Sequence, residues 1–397
     1  MALYLRERIP EMELTINQRI PGCADGNYHV KSKGCIAASL HWADENGALP
    51  DWQPLAYLPI ETNGVGRYKM EGGRAIPKDA THVLARSVSA DFASVEEILA
   101  PIPKLAEKEP EAPAQRFLVM TDLHLSNKPW QIRKALTMAE GYDAVLITGD
   151  MTNDGTQEQL ERFWNIVVEL VPDIPIFAVT GNHDYAKNPL PFIPDGICEY
   201  PYLQQALLER ADAMGTQVHQ DDSGAYVATM GDTAVIGLNA ATHWRRFKFA
   251  ENAQLEFLRQ YLQRSTAKQH LILCHAPLAN HRPYKEKGED PYLSRDKQLQ
   301  QSLDESGKQF VFLSGHTHVS MSCSCGCVDR DDNGNIYVNA GSIRPTTLKP
   351  DVPLQPECWT EGNVVELLVG ENQTTITGIS MKTGQKISRG HYVFTNK

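Results

Sequence analysis

The chain has no apolar run long enough to span a bilayer. It also lacks a signal-peptide core. Met1 to Pro21 carries four acidic or basic residues within its first eleven and no apolar stretch of the needed length, which argues against export by that route. Positive charge is in deficit: the formal net charge is -11, which disfavours a broad basic footprint for nucleic acid while leaving local phosphate binding by metal ions open. There is no internal repeat and no low-complexity tract. Paired C-x-x-C spacing is missing too. Cys323, Cys325 and Cys327 stand one residue apart and supply only three local thiols, so a thiol-bearing loop is expected there in preference to a structural zinc site. Eight cysteines without an export signal are expected to remain thiols in a reducing compartment, and cytoplasm is the expected location.

What the chain does have is length. At 397 residues it exceeds most single cores and predicts two domains. Residues 1 to about 103 hold short β-like runs, Cys35 to Trp42, Leu55 to Ile60, Val65 to Met70 and Thr81 to Val88, separated by Gly, Pro, Asn and Asp turns. That spacing suggests a small β-sandwich. Pro101 to Gln115 is rich in proline and charge and reads as an extended linker, giving domains 1-112 and 113-397.

The second domain contains three successive strand-like runs that end in metal-binding side chains: Phe117 to His124, Ala144 to Asp150, and Ile176 to Asp184. Each has a short apolar core without polar alternation, the pattern of a strand covered on both faces. His270 to His275 and Phe310 to His318 repeat it. In open α/β sheets the loops leaving the carboxyl ends of strands converge, so these runs would deliver their Asp, Asn and His residues to one rim. Between them Thr156 to Val171 reads as a helix. Leu160, Phe163, Trp164, Val167 and Val171 share one face, and Thr156 with Gln159 has the form of a capping box. Gln131 to Glu140, Asn252 to Arg264 and Arg295 to Ser306 are further helix expectations, and Thr233 to Ala240 a further strand. From Ile336 the chain returns to β, with runs at 336–339, 363–369, 374–381 and 391–394 expected to complete a second sheet packed on the first.

Taken together, Asp122-x-His124, Gly149-Asp150, Gly181-Asn182-His183-Asp184, His275 and Gly315-His316-Thr317-His318 resemble the ordered signature of the calcineurin-like metallophosphoesterases, from Phe117 to the C-terminus. The N-terminal runs resemble, more weakly, the immunoglobulin-like or fibronectin-type domain that precedes the catalytic domain in purple acid phosphatases. The resemblance implies an α/β catalytic domain of four layers, α/β/β/α, preceded by a small β-sandwich. It also implies two metal ions. Asp150 would bridge them, with Asp122, His124 and His318 completing one and Asn182, His275 and His316 the other. A carboxylate can bridge and an imidazole cannot, and a hydrolytic pair about 3.5 to 4 Å apart needs such a shared oxygen. Mixed imidazole and carboxylate donors suit Mn, Fe, Zn, Co or Ni better than Ca or Mg, with Mn, Fe or Zn the leading expectation.

The implied chemistry is attack on phosphorus by a bridging hydroxide, with His183 protonating the leaving oxygen or stabilising its charge. Asp184 would either orient a ligand or cap a turn. His243, Arg245, His281 and Arg344 lie in or near loops after strand ends and are candidate substrate contacts. The protein-phosphatase branch carries a supporting Asp and a phosphate-gripping Arg where this chain has Asn153 and Asp154. That departure moves the expectation toward a phosphodiesterase on a small or medium substrate. The alternatives are a phosphomonoesterase or nucleotidase, a nuclease, and a non-catalytic scaffold that keeps the fold. Metal identities, natural substrate and oligomeric state are left open by the sequence.

Overall fold

Period-two burial builds the N-terminal unit. In the computed structural model, residues 12–18, 26–49, 54–70, 76, 79–90, 95–102, 115–126, 129–185, 199–243, 246–247, 253–281, 296–323, 327–344 and 362–396 are described. Strands β1 (Met12–Gln18), β2 (Gly26–Ser32), β3 (Cys35–Asp44), β4 (Gly47–Ala48), β5 (Ala56–Pro59), β6 (Val65–Met70), β7 (His82–Ser89) and β8 (Val95–Pro101) form two antiparallel sheets. Tyr28 and Val30 of β2 share a core with Ala38, Leu40 and Trp42 of β3 and Val83 and Ala85 of β7. Alternate residues of β3 face inward as a half-buried strand requires, giving a β-sandwich. The chain divides into compact units Met1–Ala106 and Glu107–Lys397. The boundary expected at 112 to 113 lies outside the described residues.

The second unit begins with β9 (Gln115–Met120), α1 (Trp130–Thr137), β10 (Ala144–Ile147), α2 (Gln157–Leu170), β11 (Ile176–Ala178) and α3 (Tyr200–Ala213). There follow β12 (Gln217–Gln220), β13 (Tyr226–Met230), β14 (Thr233–Leu238), β15 (Ala241–His243), β16 (Arg246–Phe247), α4 (Ala253–Arg264), β17 (Gln269–Cys274), α5 (Asp296–Glu305), β18 (Val311–Ser314), β19 (Val328–Arg330) and β20 (Ile336–Asn339). Strands β21 (Asn363–Val369), β22 (Gln373–Ser380) and β23 (Lys386–Thr395) end the order. One sheet runs β11-β10-β9-β21-β22-β23, the other β12-β13-β14-β17-β18-β20-β19. Strands β9 to β11 are mutually parallel, as are β14, β17, β18 and β20.

Helices cover the outer face of each sheet. Ile132, Leu136, Phe163, Val167, Leu203 and Leu207 pack on Leu118, Met120, Val145 and Ile147 of the first. Leu258, Leu262, Leu299 and Leu303 pack on Ile236, Ile272 and Phe312 of the second. The inner faces meet where the Phe177 and Tyr226 rings lie 6.5 Å apart and the Tyr226 hydroxyl donates to Ala178 O at 3.0 Å. These are the four layers α/β/β/α. Burial on both faces is why the metal-bearing runs show no polar alternation: the central residues of β9, β10 and β18 are all inaccessible.

Two details differ from the sequence reading. The late strands do not all build the second sheet. β20 joins β18 there, whereas β21 pairs antiparallel with β9, Val365 opposite Val119, so that β21 to β23 complete the open edge of the first sheet. The capping box of α2 is also only half formed. Thr156 Oγ1 accepts from Gln159 N–H at 3.3 Å, but the Gln159 carbonyl reaches further back and accepts from Asn153 and Asp154 N–H. Helix α3 lies outside the sequence expectations; Pro201 is in its first turn and Gln204 interrupts its buried face. Among the described residues no helix is long and apolar enough to cross a membrane.

Candidate metal centre

The loops after β9, β10, β11, β17 and β18 supply every residue of the centre, so its two halves come from different sheets. Asp122 and His124 follow β9 and Asp150 follows β10; all three are buried. Asn182, His183 and Asp184 form a single 3₁₀ turn after β11. His275 directly follows β17, and His316 and His318 follow β18. Among the described residues, the non-glycine positions with positive φ are Asp122 at 52°, His124 at 45°, Asp150 at 52°, His316 at 69° and His318 at 56°. This left-handed region is disfavoured for side-chain-bearing residues and persists where the surroundings over-determine it. Here it is confined to one cluster.

Donor atoms converge in that cluster. Ligand atoms of Asp122, His124, Asp150 and His318 all lie within 4.8 Å of one another. His318 Nε2 is 2.8 Å from Asp122 Oδ1 and 3.1 Å from His124 Nε2. His124 Nε2 stands 3.8 Å from Asp122 Oδ1 and 3.8 Å from Asp150 Oδ2. On the other side of that same Asp150 oxygen, His275 Nε2 is 3.3 Å away. The His275 and His316 rings lie 5.3 Å apart. A tetrahedral or octahedral cation with ligands at about 2.1 Å brings neighbouring donor atoms to about 3.0 to 3.4 Å; the 3.1 and 3.3 Å spacings fall there, the 2.8 Å one is slightly tighter and the two at 3.8 Å are wider. The residues therefore fit a metal ion.

Hydrogen bonds fix which nitrogens face inward. A carbonyl can only accept, so His275 Nδ1 carries a proton and donates to Thr148 O at 2.7 Å, leaving Nε2 as the inward lone pair. By the same logic His183 Nδ1 donates to Asn153 O at 2.8 Å. The His183 ring meets His124 edge-on, centroids 4.5 Å apart. Asp184 accepts from Thr152 N–H at 2.9 Å, Thr152 Oγ1 at 3.0 Å and Gly181 N–H at 2.8 Å, tying the β10 loop to the β11 loop. Asp150 Oδ1 accepts from His183 N–H at 2.7 Å, which leaves Oδ2 toward the imidazoles.

The protein groups alone attract cations here. Burial opposes ionisation of Asp122, but the imidazoles of His318, His275 and His124 outweigh it and hold the carboxyl well below the usual carboxylate range. Burial pushes Asp150 up as well, and His275 brings it down to about 2. His275 feels the reverse: burial lowers it, yet the Asp150 carboxylate raises it to about 9. His318 is raised too, because Asp122 outweighs its burial, whereas burial takes His124 down to about 4. Burial and the neighbouring Asp150 charge lift Asp184 to about 7, against the pull of its donors. Two ionised carboxylates stand beside three imidazoles, of which His275 and His318 are pulled toward the protonated form and His124 toward the neutral one, so a cation bound here would compete with protons for the same donor atoms.

The other candidates are placed elsewhere. His281 donates from Nδ1 to Asp329 Oδ2 at 2.8 Å and stacks on Tyr337 at 3.5 Å. Arg344 donates to the carbonyl of His124 and lies 3.4 Å from Ser126 Oγ. His243 ends β15 with its side chain outside the described residues, where Arg245 also falls. Of the clustered cysteines, Cys327 is buried and its thiol donates toward Val319 O at 3.6 Å and Ser320 O at 3.5 Å; the Cys323 side chain and Cys325 lie outside the described residues. Supporting groups that the sequence reading passed over are Thr148, Thr152, Ser342 and Asn239, whose Oδ1 accepts from Thr180 N–H at 2.9 Å just before the Asn182 turn. Their signal is position, one to three residues from a candidate ligand or at another strand end.

The chain belongs to the calcineurin-like phosphoesterase family, whose model matches residues 115–320. A 46-residue stretch is 44% identical to a probable glycerophosphodiester phosphodiesterase, GpdQ, of Arcobacter nitrofigilis; it spans 12% of this chain and 16% of that relative. Among solved structures, purple acid phosphatase PPD1 of yellow lupin (Lupinus luteus) is similar over 97% of this chain and 73% of that one, with a TM-score of 0.49 and 13% identity. PhoD is similar over 96% of this chain and 90% of its own, with a TM-score of 0.44 and 12% identity.

Proposed function

We propose that the chain is a phosphodiesterase dependent on two metal ions, Mn, Fe or Zn, acting on a small or medium phosphoric diester. The observation that carries the metal pair is the place of Asp150 Oδ2, between His124 Nε2 at 3.8 Å and His275 Nε2 at 3.3 Å. One carboxylate oxygen flanked by an imidazole from each half of the site is the arrangement a bridging ligand needs. Asp122, His124 and His318 would complete one ion, and Asn182, His275 and His316 the other. Bound cations of this kind activate water and neutralise phosphate charge.

The protein groups supply orientation and a proton. His183, held through Nδ1 by Asn153 O, presents Nε2 as the atom that delivers a proton to the leaving oxygen. Asp184 fixes the turn that carries both Asn182 and His183. The diester assignment has two supports. Asp154, its carboxylate held by the side-chain amides of Asn153 and Gln159, stands where the phosphatase branch has an Arg, so the cation that would grip a dianionic monoester is missing at that position. The named activity of the GpdQ relative points the same way.

Replacing Asp150 by Asn keeps an acceptor for His183 N–H and removes the charge. Asp150→Asn should lower metal content and abolish hydrolysis with the fold intact, and two metals per chain with normal turnover would defeat the assignment. For the substrate class, kcat/KM for bis(p-nitrophenyl) phosphate should exceed that for p-nitrophenyl phosphate at saturating Mn. A clear monoester preference would reverse it.

A further inference from the structure

Three consecutive residues after β20 satisfy three carbonyls of the loop after β9. Ile343 N–H donates to Thr121 O at 3.4 Å. The buried Ser342 hydroxyl donates to Asp122 O at 3.1 Å, and Arg344 Nη2 donates to His124 O. Ser342 Oγ also accepts from Arg344 N–H at 3.1 Å, so one hydroxyl ties the two loops together and braces the arginine. From the opposite side, His124 N–H donates to Asp150 O and Leu125 N–H to Met151 O, both at 2.9 Å. The peptide units around Asp122 and His124 are thus gripped on both edges.

That grip coincides with strain. Asp122 and His124 sit at φ 52° and 45°, a left-handed region that brings the Cβ of an L-residue too close to the following carbonyl oxygen. From this twisted backbone both side chains reach His318 Nε2, Asp122 Oδ1 at 2.8 Å and His124 Nε2 at 3.1 Å. Metal binding also brings cationic charge toward the half-buried guanidinium, so Arg344 has an electrostatic cost to set against its geometric role.

We propose that Ser342 and Arg344 are positioning residues, which hold Asp122 and His124 in the left-handed conformation that one of the two metal sites requires, and that Arg344 acts through the His124 carbonyl and not on substrate. The proposal rests on the metal-dependent reading above.

The test uses the full chain with Arg344→Met, Arg344→Lys and Ser342→Ala, measuring Mn stoichiometry and Kd by titration calorimetry, kcat and KM for bis(p-nitrophenyl) phosphate at low and saturating Mn, and the thermal midpoint of the metal-free chain. In Arg344→Met, one of two Mn sites should weaken about 10- to 100-fold, the usual effect of losing a group that supports a ligand, while the other is unchanged. Saturating Mn should restore kcat, and KM should stay put. Arg344→Lys, which keeps the charge but not the planar fork, should weaken the same site, and Ser342→Ala should weaken it less. An unchanged Kd with a raised KM that Mn does not rescue would make Arg344 a substrate contact and overturn the proposal. Tighter Mn binding would reduce its role to charge repulsion and overturn it too, and a lower midpoint with both Kd values intact would make the clamp merely structural. If Arg344→Met does not fold, Arg344→Lys and Ser342→Ala carry the same comparison. A native chain that binds no Mn would sink the metal reading itself, whereas variants that bind two Mn as tightly as the native chain would sink the clamp alone.

Discussion

His124 Nε2 and His318 Nε2 lie 3.1 Å apart although 194 residues separate them in the chain. Each follows the carboxyl end of a parallel strand, β9 in one sheet and β18 in the other, and the two sheets bring those ends to one rim. Facing nitrogens at this distance repel unless a proton or a cation lies between them. The sheets therefore meet at a point that a bound metal would hold together.

Metal removal should then act on stability as well as on activity. Dialysis against a chelator should abolish hydrolysis and lower the thermal midpoint, with Mn restoring both. A ligand at about 100 times its Kd stabilises by about 2.7 kcal/mol, so the shift should be several degrees and depend on Mn concentration. Differential scanning calorimetry of the chelated and reloaded chain measures it. An unchanged midpoint would mean that the sheet ends hold their places without the ion.

Adjacent residues in the Asn182 turn should separate metal binding from proton transfer. Asn182→Ala should weaken one metal. His183→Ala should keep both metals and lose roughly 10²- to 10⁴-fold in rate, the usual worth of a general acid. The loss should shrink for esters with good leaving groups, which need little protonation. Metal analysis alongside kcat decides the matter, because a His183→Ala chain with an empty site would reassign that residue as a ligand.

The donor-bearing strands were legible because burial on both faces leaves an uninterrupted apolar core, and the Asp, Asn and His residues stand directly after it. Their division between two sheets was not legible, since β17 and β18 carry the same pattern as β9 to β11. Nothing local in Asn363 to Val369 says that β21 will pair with β9; that choice is made by an open sheet edge some 250 residues earlier, as the Arg116 to Glu366 contact illustrates. The left-handed backbone at Asp122, His124, Asp150, His316 and His318 was hidden for a related reason. Local propensity argues against it, and the bonds that accompany it come from distant parts of the chain, as Ser342 to Asp122 O does across 220 residues. Gln159 has the sequence position of a capping partner for its own helix, but its side-chain amide serves the Asn153 and Asp154 turn.

Away from the centre, His270 gives the fold a pH dependence with a definite sign. Its ring is buried, Nδ1 donates to Gln309 O at 3.2 Å and Nε2 accepts from Ser265 Oγ at 2.9 Å, so both nitrogens are matched to the neutral form. Burial lowers its pKa below the ordinary value. The unfolded chain consequently takes up the proton first as pH falls. The contribution of His270 is complete above about pH 6.5 and declines below it, by at most about 1.4 kcal/mol per pH unit. Urea denaturation at pH 8 and pH 5.5 should show a smaller acid loss in His270→Gln than in the native chain. An equal loss in the two would place the acid sensitivity elsewhere.

Gly315 offers a test of how tightly the Asp122 carboxylate is held. A Cβ at this position would stand 2.0 Å from Thr121 Oγ1 and 2.6 Å from Asp122 Oδ2, inside any tolerable contact. The same carboxylate oxygen accepts from Thr121 Oγ1 at 2.8 Å and from His316 N–H at 2.9 Å, so it cannot move aside without losing both. Gly315→Ala should cost about 1 to 3 kcal/mol of stability, the range for overpacking, and should also weaken Mn binding by displacing a ligand. Gly215→Ala separates the two effects. There φ is 91° and nothing lies within 4 Å of the added methyl, so its cost is backbone strain alone, roughly 1 to 2 kcal/mol. Both variants should melt earlier, and only Gly315→Ala should bind Mn more weakly in titrations made well below its midpoint. Equal Mn affinity in the two would show that the carboxylate has room to shift, and would remove the steric basis for its fixed orientation.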